Sequence, residues 1–223
     1  AIEYDGQAVL PRRSLCNTLP YVDGVAGADL LAATRDLGKR LRREPLPAFT
    51  NQPDPDRKLT IGLLSGTLKT HPVGWLTVAG FEALDPHAFR LAGLVQNDNP
   101  GDAITRRYRA IASEWIEVDT LDDLAVARRA REAGIDILID LCGHTSGNRL
   151  LVMPYRAAPV QAAWLGYFDT TGLQSVDYLI ADSVCVQNGE GGRYTEKVIA
   201  LPRDFACYEP PEIAPESSDA GEA

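Results

Sequence analysis

The sequence predicts an α/β protein: a doubly wound, mostly parallel, Rossmann-like sheet with an N-terminal helical segment. Two observations carry this prediction. Residues 59–65 and 135–141 are dominated by apolar side chains, which is typical of parallel strands buried on both faces. Around them, stretches with helical periodicity alternate with further apolar segments, and such alternation favours helical crossovers between the parallel strands of one sheet.

Composition divides the chain into three expected regions. Residues 1–45 form an N-terminal helical segment, residues 46–208 a Rossmann-like lobe, and residues 209–223 an acidic flexible linker. Residues 1–25 look irregular because prolines and a glycine interrupt them. A helix is predicted over residues 26–43, and its apolar face is formed by Leu30, Ala33, Leu37 and Leu41.

The lobe is predicted as strands and helices in alternation. The strands are expected at residues 59–65, 89–95, 115–118, 135–141, 160–165, 177–181 and 197–201. The helices are expected at residues 73–84, 102–112, 121–133 and, in a short form, 148–153. Proline is favoured at the first helical position, so Pro72 starts the first of these helices and His71 or Thr70 serves as its N-cap.

Charge and cysteine content exclude several classes of protein. The chain has 223 residues and a formal net charge of −9, so a nucleic-acid partner is disfavoured. No apolar run reaches the length of about 18 residues that a membrane span needs, and no secretory signal is visible. Four scattered cysteines favour reduced thiols, hence the cytoplasm. Cys142 and His144 are too few ligands for a metal site, so no metal is expected.

The strand order places the candidate chemistry. In the common order 3-2-1-4-5, ligands bind at the carboxyl ends of the first and fourth strands, where the order reverses. The loops that carry His71 and His144 follow those two strands, so we expect both imidazoles to face one crevice. A histidine there is a candidate general base or hydrogen-bond donor, and Arg149 is a candidate anion ligand or a solvated helix residue. No dinucleotide-binding glycine motif, Walker A run or nucleophile elbow occurs.

Three motifs carry a resemblance to a known family. They are A-P-V-Q-x-x-W-L-G-Y-x-x-T-x-G at residues 158–172, D-I-L-I-D-L-x-G-H-T-x-G at residues 136–147, and the pair His71-Pro72. The chain resembles the N-terminal half of the catalytic region of the O-linked N-acetylglucosamine transferase / SPINDLY family. The similarity covers about residues 59–208, and the helix at 26–43 fits the segment before it.

The resemblance implies one lobe of a two-lobed GT-B glycosyltransferase. It implies transfer of a sugar from a nucleotide-activated donor, usually UDP-N-acetylglucosamine, to Ser or Thr hydroxyls of proteins. The resemblance also implies that His71 and Pro72 lie over the donor sugar and pyrophosphate, and that Leu165 and Gly166 line the sugar pocket. The floor and acceptor side would be formed by His144, Thr145, Ser146 and Arg149. His71 and His144 are thus the catalytic candidates.

The resemblance also implies partners. A second lobe carries most nucleotide contacts in the family, including a lysine on the diphosphate, so this chain alone is expected to be inactive. That lobe would belong to the same gene product or to a separate chain. Tetratricopeptide repeats often precede this region in family members and hold the protein substrate.

Two departures from the family pattern keep alternatives open. The family's first loop commonly has an aspartate four residues before the histidine, where this chain has Thr67, and many members have an earlier histidine where this chain offers Leu19-Pro20. Either loss removes a candidate base, whereas catalysis by the donor's own phosphate needs neither. The alternatives are an O-fucosyl or other sugar transferase of the same family, a non-catalytic binding module that retains the fold, and an unrelated nucleotide-binding α/β protein.

Overall fold

A seven-stranded parallel sheet forms the centre of the molecule. The computed structural model describes residues 9–210 except 42, 45, 55, 97–98 and 187–189; most of the predicted acidic linker therefore lies outside the described residues. The strands are β1 Leu59–Ser65, β2 Phe89–Val95, β3 Ala112–Glu117, β4 Ile137–Asp140, β5 Val160–Trp164, β6 Tyr178–Asp182 and β7 Lys197–Leu201. Their order is β3-β2-β1-β4-β5-β6-β7, and every neighbouring pair is parallel. The predicted order of the first five strands is confirmed.

Helices cover both faces of this sheet. They are α1 Val9–Thr18, α2 Gly27–Arg40, α3 Pro72–Trp75, α4 Val78–Glu82, α5 Ala103–Ile111 and α6 Asp123–Glu132, with short 3₁₀ helices at Leu19–Tyr21, Leu150–Tyr155 and Glu190–Arg193. None of the helices in the described part of the chain combines the length and apolar character of a transmembrane segment.

Two hydrophobic cores lie on opposite faces of the sheet, as a doubly wound fold requires. Adjacent residues of β1 show the division, because Leu64 joins the core that includes α2 and α6, whereas Leu63 joins the core that includes α4 and α5. Both leucines have no accessible surface. The central strands β1, β2 and β4 are therefore buried on both sides, which explains the continuous apolar runs in their sequences.

The first helix corrects the expectation of an irregular N-terminus. α1 packs along α2, with Cys16 in the core and Arg12 only 7% exposed. Arg12 Nε lies 2.9 Å from a carboxylate oxygen of Asp36 in α2. Because one of its two buried positions is an arginine that needs a partner 24 residues away, the apolar periodicity of α1 is weak and the sequence pattern misses it.

The helix expected at residues 73–84 is wrong in one respect: it is broken into α3 and α4. The Thr77 hydroxyl donates to the carbonyl oxygen of Val73 at 2.6 Å, and the amide of Cys207 donates to the carbonyl of Leu76 at 2.8 Å. These contacts take carbonyls that a continuous helix would use itself. The break leaves only a four-residue helix after His71, so the helix dipole expected there is small.

Asp136 fixes the amino end of β4. Its carboxylate accepts hydrogen bonds from the Thr60 amide at 2.8 Å, from Asn51 Nδ2 at 2.5 Å and from both terminal nitrogens of Arg57. Burial raises the pKa of Asp136, but the hydrogen bonds from Arg57, Thr60 and Asn51 outweigh it and hold the pKa below the usual range. The ionised carboxylate thus ties β1, β4 and the segment before β1 together.

Replacing Asp136 by Asn is expected to lower the free energy of unfolding at neutral pH by about 2 kcal/mol, because the Arg57 charge loses its partner. A carboxylate with a depressed pKa stabilises above its unfolded value of about 3.9 and loses that contribution as the pH falls. The deficit should therefore shrink toward pH 3 in urea titrations. Glu114→Gln, an exposed change in β3, is the control; an equal deficit at both pH values would contradict the assignment.

Candidate functional site

The loops after β1, β4 and β5 meet at the carboxyl edge of the sheet. Leu64 of β1 pairs with Asp140 of β4, and Asp140 pairs with Ala163 of β5, so the three strands end at one level. Ser65 Oγ lies 3.7 Å from Cys142 Sγ in the next loop. The strand order thus brings these three loops together, as predicted.

His71 caps α3 with one ring nitrogen and leaves the other available. Its Nδ1 accepts a hydrogen bond from the Val73 amide at 3.2 Å, and the side chain is half-buried. Burial, with Lys69 nearby, lowers the pKa of His71. Because Nδ1 accepts, the neutral ring carries its proton on Nε2. His71 therefore offers a hydrogen-bond donor, and its geometry does not favour a base.

The rest of the β1 loop presents hydroxyls and a proline. Ser65 Oγ and Thr67 Oγ1 lie 2.8 Å apart, and the Thr67 amide donates to Ser65 Oγ at 3.0 Å. Pro72 is exposed beside His71. The position at which the family commonly has an aspartate thus holds a hydroxyl already engaged with Ser65, and it carries no negative charge.

His144 is buried, in contrast to His71. The ring is 3% exposed and packs edge-on against Tyr167, with centroids 5.0 Å apart. Its Nε2 lies 3.0 Å from the carbonyl oxygen of Thr171, and since a carbonyl only accepts, Nε2 carries the proton. Burial lowers the pKa of His144 to about 4. The loops of the two histidines are neighbours, but the His144 ring faces the interior and holds the loop after β5.

Asp140, which the sequence analysis did not single out, shapes the turn that carries His144. Its carboxylate accepts from the Gly143 amide at 2.6 Å and from the Cys142 amide at 3.4 Å. The side chain is 1% exposed, and burial raises the pKa of Asp140 to about 6. Its sequence signal was a single acidic residue near the end of an apolar run.

The next residues of the β4 loop are either exposed at the surface or hydrogen-bonded to the structure around them. Thr145 Oγ1 donates to the carbonyl of Cys142 at 2.7 Å, and Ser146 is exposed at the edge. Arg149 donates to the Leu121 carbonyl at 2.8 Å, and its Nε lies 3.0 Å from Asp123 Oδ1. The Arg149 guanidinium therefore fastens the loop before α6, which favours a structural role at this position.

A second missed residue comes from α1. Arg13 Nη2 donates to Asn148 Oδ1 at 2.6 Å, and Asn148 is 8% exposed. The partner lies 135 residues away along the chain, so no local pattern could have indicated it. The N-terminal helical segment thus supports the candidate site directly.

The β5 loop makes the tightest contact of the edge. Leu165 has a φ of +65°, a left-handed conformation that is uncommon for a non-glycine residue and occurs preferentially at functional sites. A Cβ on Gly166 would lie 1.9 Å from the carbonyl oxygen of Leu141. Only glycine fits there, so the backbone of the β5 loop lies directly on that of the β4 loop.

The fold and this edge define a class of protein. A parallel α/β lobe that gathers a histidine donor, hydroxyls and glycine-packed loops at its switch point has the architecture of lobes that bind ligands at the carboxyl edge of the sheet. In the part of the chain that the structure describes, no three His, Cys, Asp or Glu side chains are grouped as metal ligands.

The chain belongs to glycosyl transferase family 41, whose model matches residues 37–211. Among solved structures, a Thermobaculum terrenum O-GlcNAc transferase with the substitution K341M is similar at a TM-score of 0.90 and 33% sequence identity. That match covers 99% of this chain and 42% of the bacterial one. The match in both sequence and structure confirms the family resemblance and the Rossmann-like lobe.

Plant relatives lead to the same family. The protein of Petunia hybrida named "Probable UDP-N-acetylglucosamine--peptide N-acetylglucosaminyltransferase SPINDLY" is 34% identical over 204 residues, which cover 88% of this chain and 22% of the relative. The SPINDLY protein of Arabidopsis thaliana is 35% identical over 202 residues, with coverages of 87% and 22%. The SEC protein of that plant is 29% identical over 154 residues, with coverages of 68% and 15%. The chain therefore spans about a fifth of the length of these relatives.

Asp140 and His144 are expected to change stability with pH in opposite directions. The pKa of Asp140 is raised to about 6, so its contribution is full below the unfolded value of about 3.9 and is lost as the pH rises through 6. The pKa of His144 is lowered to about 4, so its contribution is full above about 6.5 and is lost as the pH falls through 4. The two effects oppose each other over the same interval.

Single substitutions should reveal how the contribution of each group to the free energy of unfolding depends on pH. Relative to the parent, His144→Gln, which keeps a donor for Thr171, should gain up to about 3 kcal/mol of unfolding free energy between pH 6.5 and 4. Asp140→Asn should lose a similar amount over that range. Urea titrations in half-unit steps of pH measure both, with the exposed His87→Gln as control. If the free energy of unfolding of either variant changed with pH as it does in the parent, burial would not be the cause of the pKa shift of that residue.

Proposed function

We propose that the protein containing this chain transfers N-acetylglucosamine from UDP-N-acetylglucosamine to Ser or Thr hydroxyls of proteins. This chain would supply the N-terminal lobe of the two-lobed catalytic region. Family membership and the names of the relatives support the activity. The structural observation that carries the proposal is the half-buried His71 ring, whose Nδ1 is occupied by the Val73 amide and whose Nε2–H makes no hydrogen bond to any described residue.

In the proposed reaction, the hydroxyl oxygen of the acceptor bonds to the anomeric carbon while the bond to the diphosphate breaks. His71 Nε2–H would donate to the donor sugar or to the diphosphate, where it stabilises the charge that develops on departure. Pro72 would pack beside it, and Leu165 and Gly166 would line the sugar pocket. The fixed turn that places Leu165 supports this positioning role.

The remaining candidates fit positions around the acceptor. Thr145 and Ser146 would form the acceptor side of the edge, since both hydroxyls follow β4 directly and Ser146 is exposed. His144 would act by holding the Thr171 carbonyl, and Arg149 by holding the loop before α6. The proton of the attacking hydroxyl would pass to a donor phosphate oxygen, because His71 Nδ1 already accepts from the Val73 amide and His144 Nδ1 is buried.

The proposed reaction requires further partners, and we place it in a reducing compartment. A second lobe is needed for the nucleotide, and the partial coverage of relatives supports its existence. Tetratricopeptide repeats would hold the protein acceptor, as the family resemblance implies. No metal is proposed, since hydrogen-bond donors and the cations of the second lobe would meet the diphosphate. The four free cysteines support a reducing compartment, the cytoplasm.

Replacing His71 by Asn in the whole protein is expected to keep the N-cap hydrogen bond of α3 and to remove the Nε2–H donor. Asn is a good N-cap and can still accept from the Val73 amide, but its side chain is too short to reach the place of Nε2. We expect kcat for transfer to fall by about 100-fold, with the melting temperature within a degree or two of the parent. Radiolabelled transfer to a peptide acceptor measures the first, and calorimetry the second.

The matched control is His87→Asn, an exposed histidine in the turn before β2, which should leave transfer unchanged. Full activity of His71→Asn would refute the donor role. GDP-fucose in place of UDP-N-acetylglucosamine tests the donor sugar, and turnover with that donor alone would replace the proposal by fucosyl transfer. An inactive parent with intact folding would favour a binding module, which the hydroxyl at Thr67 motivates.

A further inference from the structure

A separate cavity lies at the amino edge of the sheet, on the side of α2. Its volume is about 620 Å³, within the range of small-molecule sites. Its walls are the outer face of α2 and the residues that lead into β5, β6 and β7, among them Arg156, Asp177 and Thr195. Asp177 immediately precedes β6, and Arg156 precedes β5. The cavity is therefore at the opposite end of the strands from His71 and Gly166.

The cavity wall is built by direct backbone contact. A Cβ on Gly38 of α2 would lie 2.1 Å from the carbonyl oxygen of Gly172, and a Cβ on Gly172 would lie 2.2 Å from the carbonyl oxygen of Thr34. Gly172 also has a φ of +73°. Only glycine fits at both positions, so α2 and Gly172 are in direct backbone contact along this wall.

Cations dominate the lining in a chain that is acidic as a whole. Arg35 and Lys39 are one turn apart on α2, hence on the same face, and both are exposed side chains that line the cavity. Arg43 follows α2, and Arg156 adds a fourth cation. Among the described lining residues, one carboxylate, Asp177, stands against these four cations, in a chain of net charge −9. The local excess of positive charge is therefore opposite to that of the molecule.

The cations differ in how they are engaged. Arg156 is fixed, since it donates to the Ser175 carbonyl at 2.7 Å and to Asp177 Oδ1 at 2.8 Å, which neutralises the single carboxylate. Arg35 and Lys39 make no hydrogen bond or ion pair with any described residue. They are thus free to meet an anion, and Arg can bind phosphate oxygens with two parallel N–H groups.

We propose that this cavity binds a small polyphosphate ligand, with Arg35 and Lys39 as its main contacts and Arg43 and Arg156 completing the positive wall. A phosphate-bearing ligand fits because several cations converge on one half-open cavity whose described lining has a single, neutralised carboxylate. The volume leaves room for a nucleoside beside the phosphates. This site is distinct from the place of His71 and Gly166, because Arg156, Asp177 and Thr195 lie at the amino ends of their strands. The two share a wall segment, since Gly172 follows Thr171, whose carbonyl His144 holds.

Calorimetric titration of the whole protein tests the site. UDP is added first to saturate a donor site, and pyrophosphate, ATP or adenosine is then titrated in. Pyrophosphate should bind, and its affinity should fall as salt rises from 50 to 300 mM. The double variant R35Q/K39Q should weaken binding at least tenfold. Binding of adenosine as well as pyrophosphate would identify a nucleotide site, binding of pyrophosphate and ATP without adenosine a site for phosphates alone, and both support the proposal.

The matched control is R128Q/K197Q, which removes the same charge from two other exposed positions and should leave the affinity within twofold. His71→Asn should also bind pyrophosphate as the parent does, so that loss of transfer and loss of this site remain distinguishable. Equal affinity of R35Q/K39Q and the parent, or no heat with millimolar pyrophosphate, would overturn the proposal. A lower melting temperature of R35Q/K39Q without any ligand binding would show that these cations only complement the carboxyl end of α2.

Discussion

The register of β4 between β1 and β5 is the constraint from which the carboxyl edge follows. Because Asp140 pairs with both Leu64 and Ala163, three strands end at the same level and their loops must diverge within a few residues. The chain turns in left-handed conformations at Gly143 and Leu165. In the turn after β4, the buried Asp140 carboxylate accepts a hydrogen bond from the Gly143 amide, so that water is not needed there. The shape of the candidate site is thus a consequence of strand pairing.

The two histidines at the carboxyl edge of the sheet have different chemical roles. In both rings the proton resides on Nε2, but the reasons differ: the Val73 amide occupies Nδ1 of His71, whereas the Thr171 carbonyl requires a donor from His144. Only the His71 ring reaches the surface, and burial lowers the pKa of both. One histidine is therefore a donor toward a ligand and the other a link between loops, a division that residue type alone could not reveal.

The sequence predicts the sheet well because buried parallel strands need continuous apolar runs, and the buried strands β1 and β2 begin and end where predicted. It fails where a long-range partner decides the structure. α1 is stabilised by the Arg12–Asp36 contact and by the Tyr167 hydroxyl, which donates to the Cys16 carbonyl. The break after α3 depends in part on the Cys207 amide, far along the chain. None of these three long-range contacts leaves a local pattern.

The candidate site shows the same division. Its location was predictable, since the switch point follows from strand order, and the motifs mark the loops. The burial of His144 was not, because Tyr167 and Thr171 reach it from the loop after β5. That loop has a further consequence. It passes from Gly166 on the carboxyl edge to Gly172 against α2, so a single segment lines both the candidate transfer site and the cationic cavity, and its glycines fix both ends.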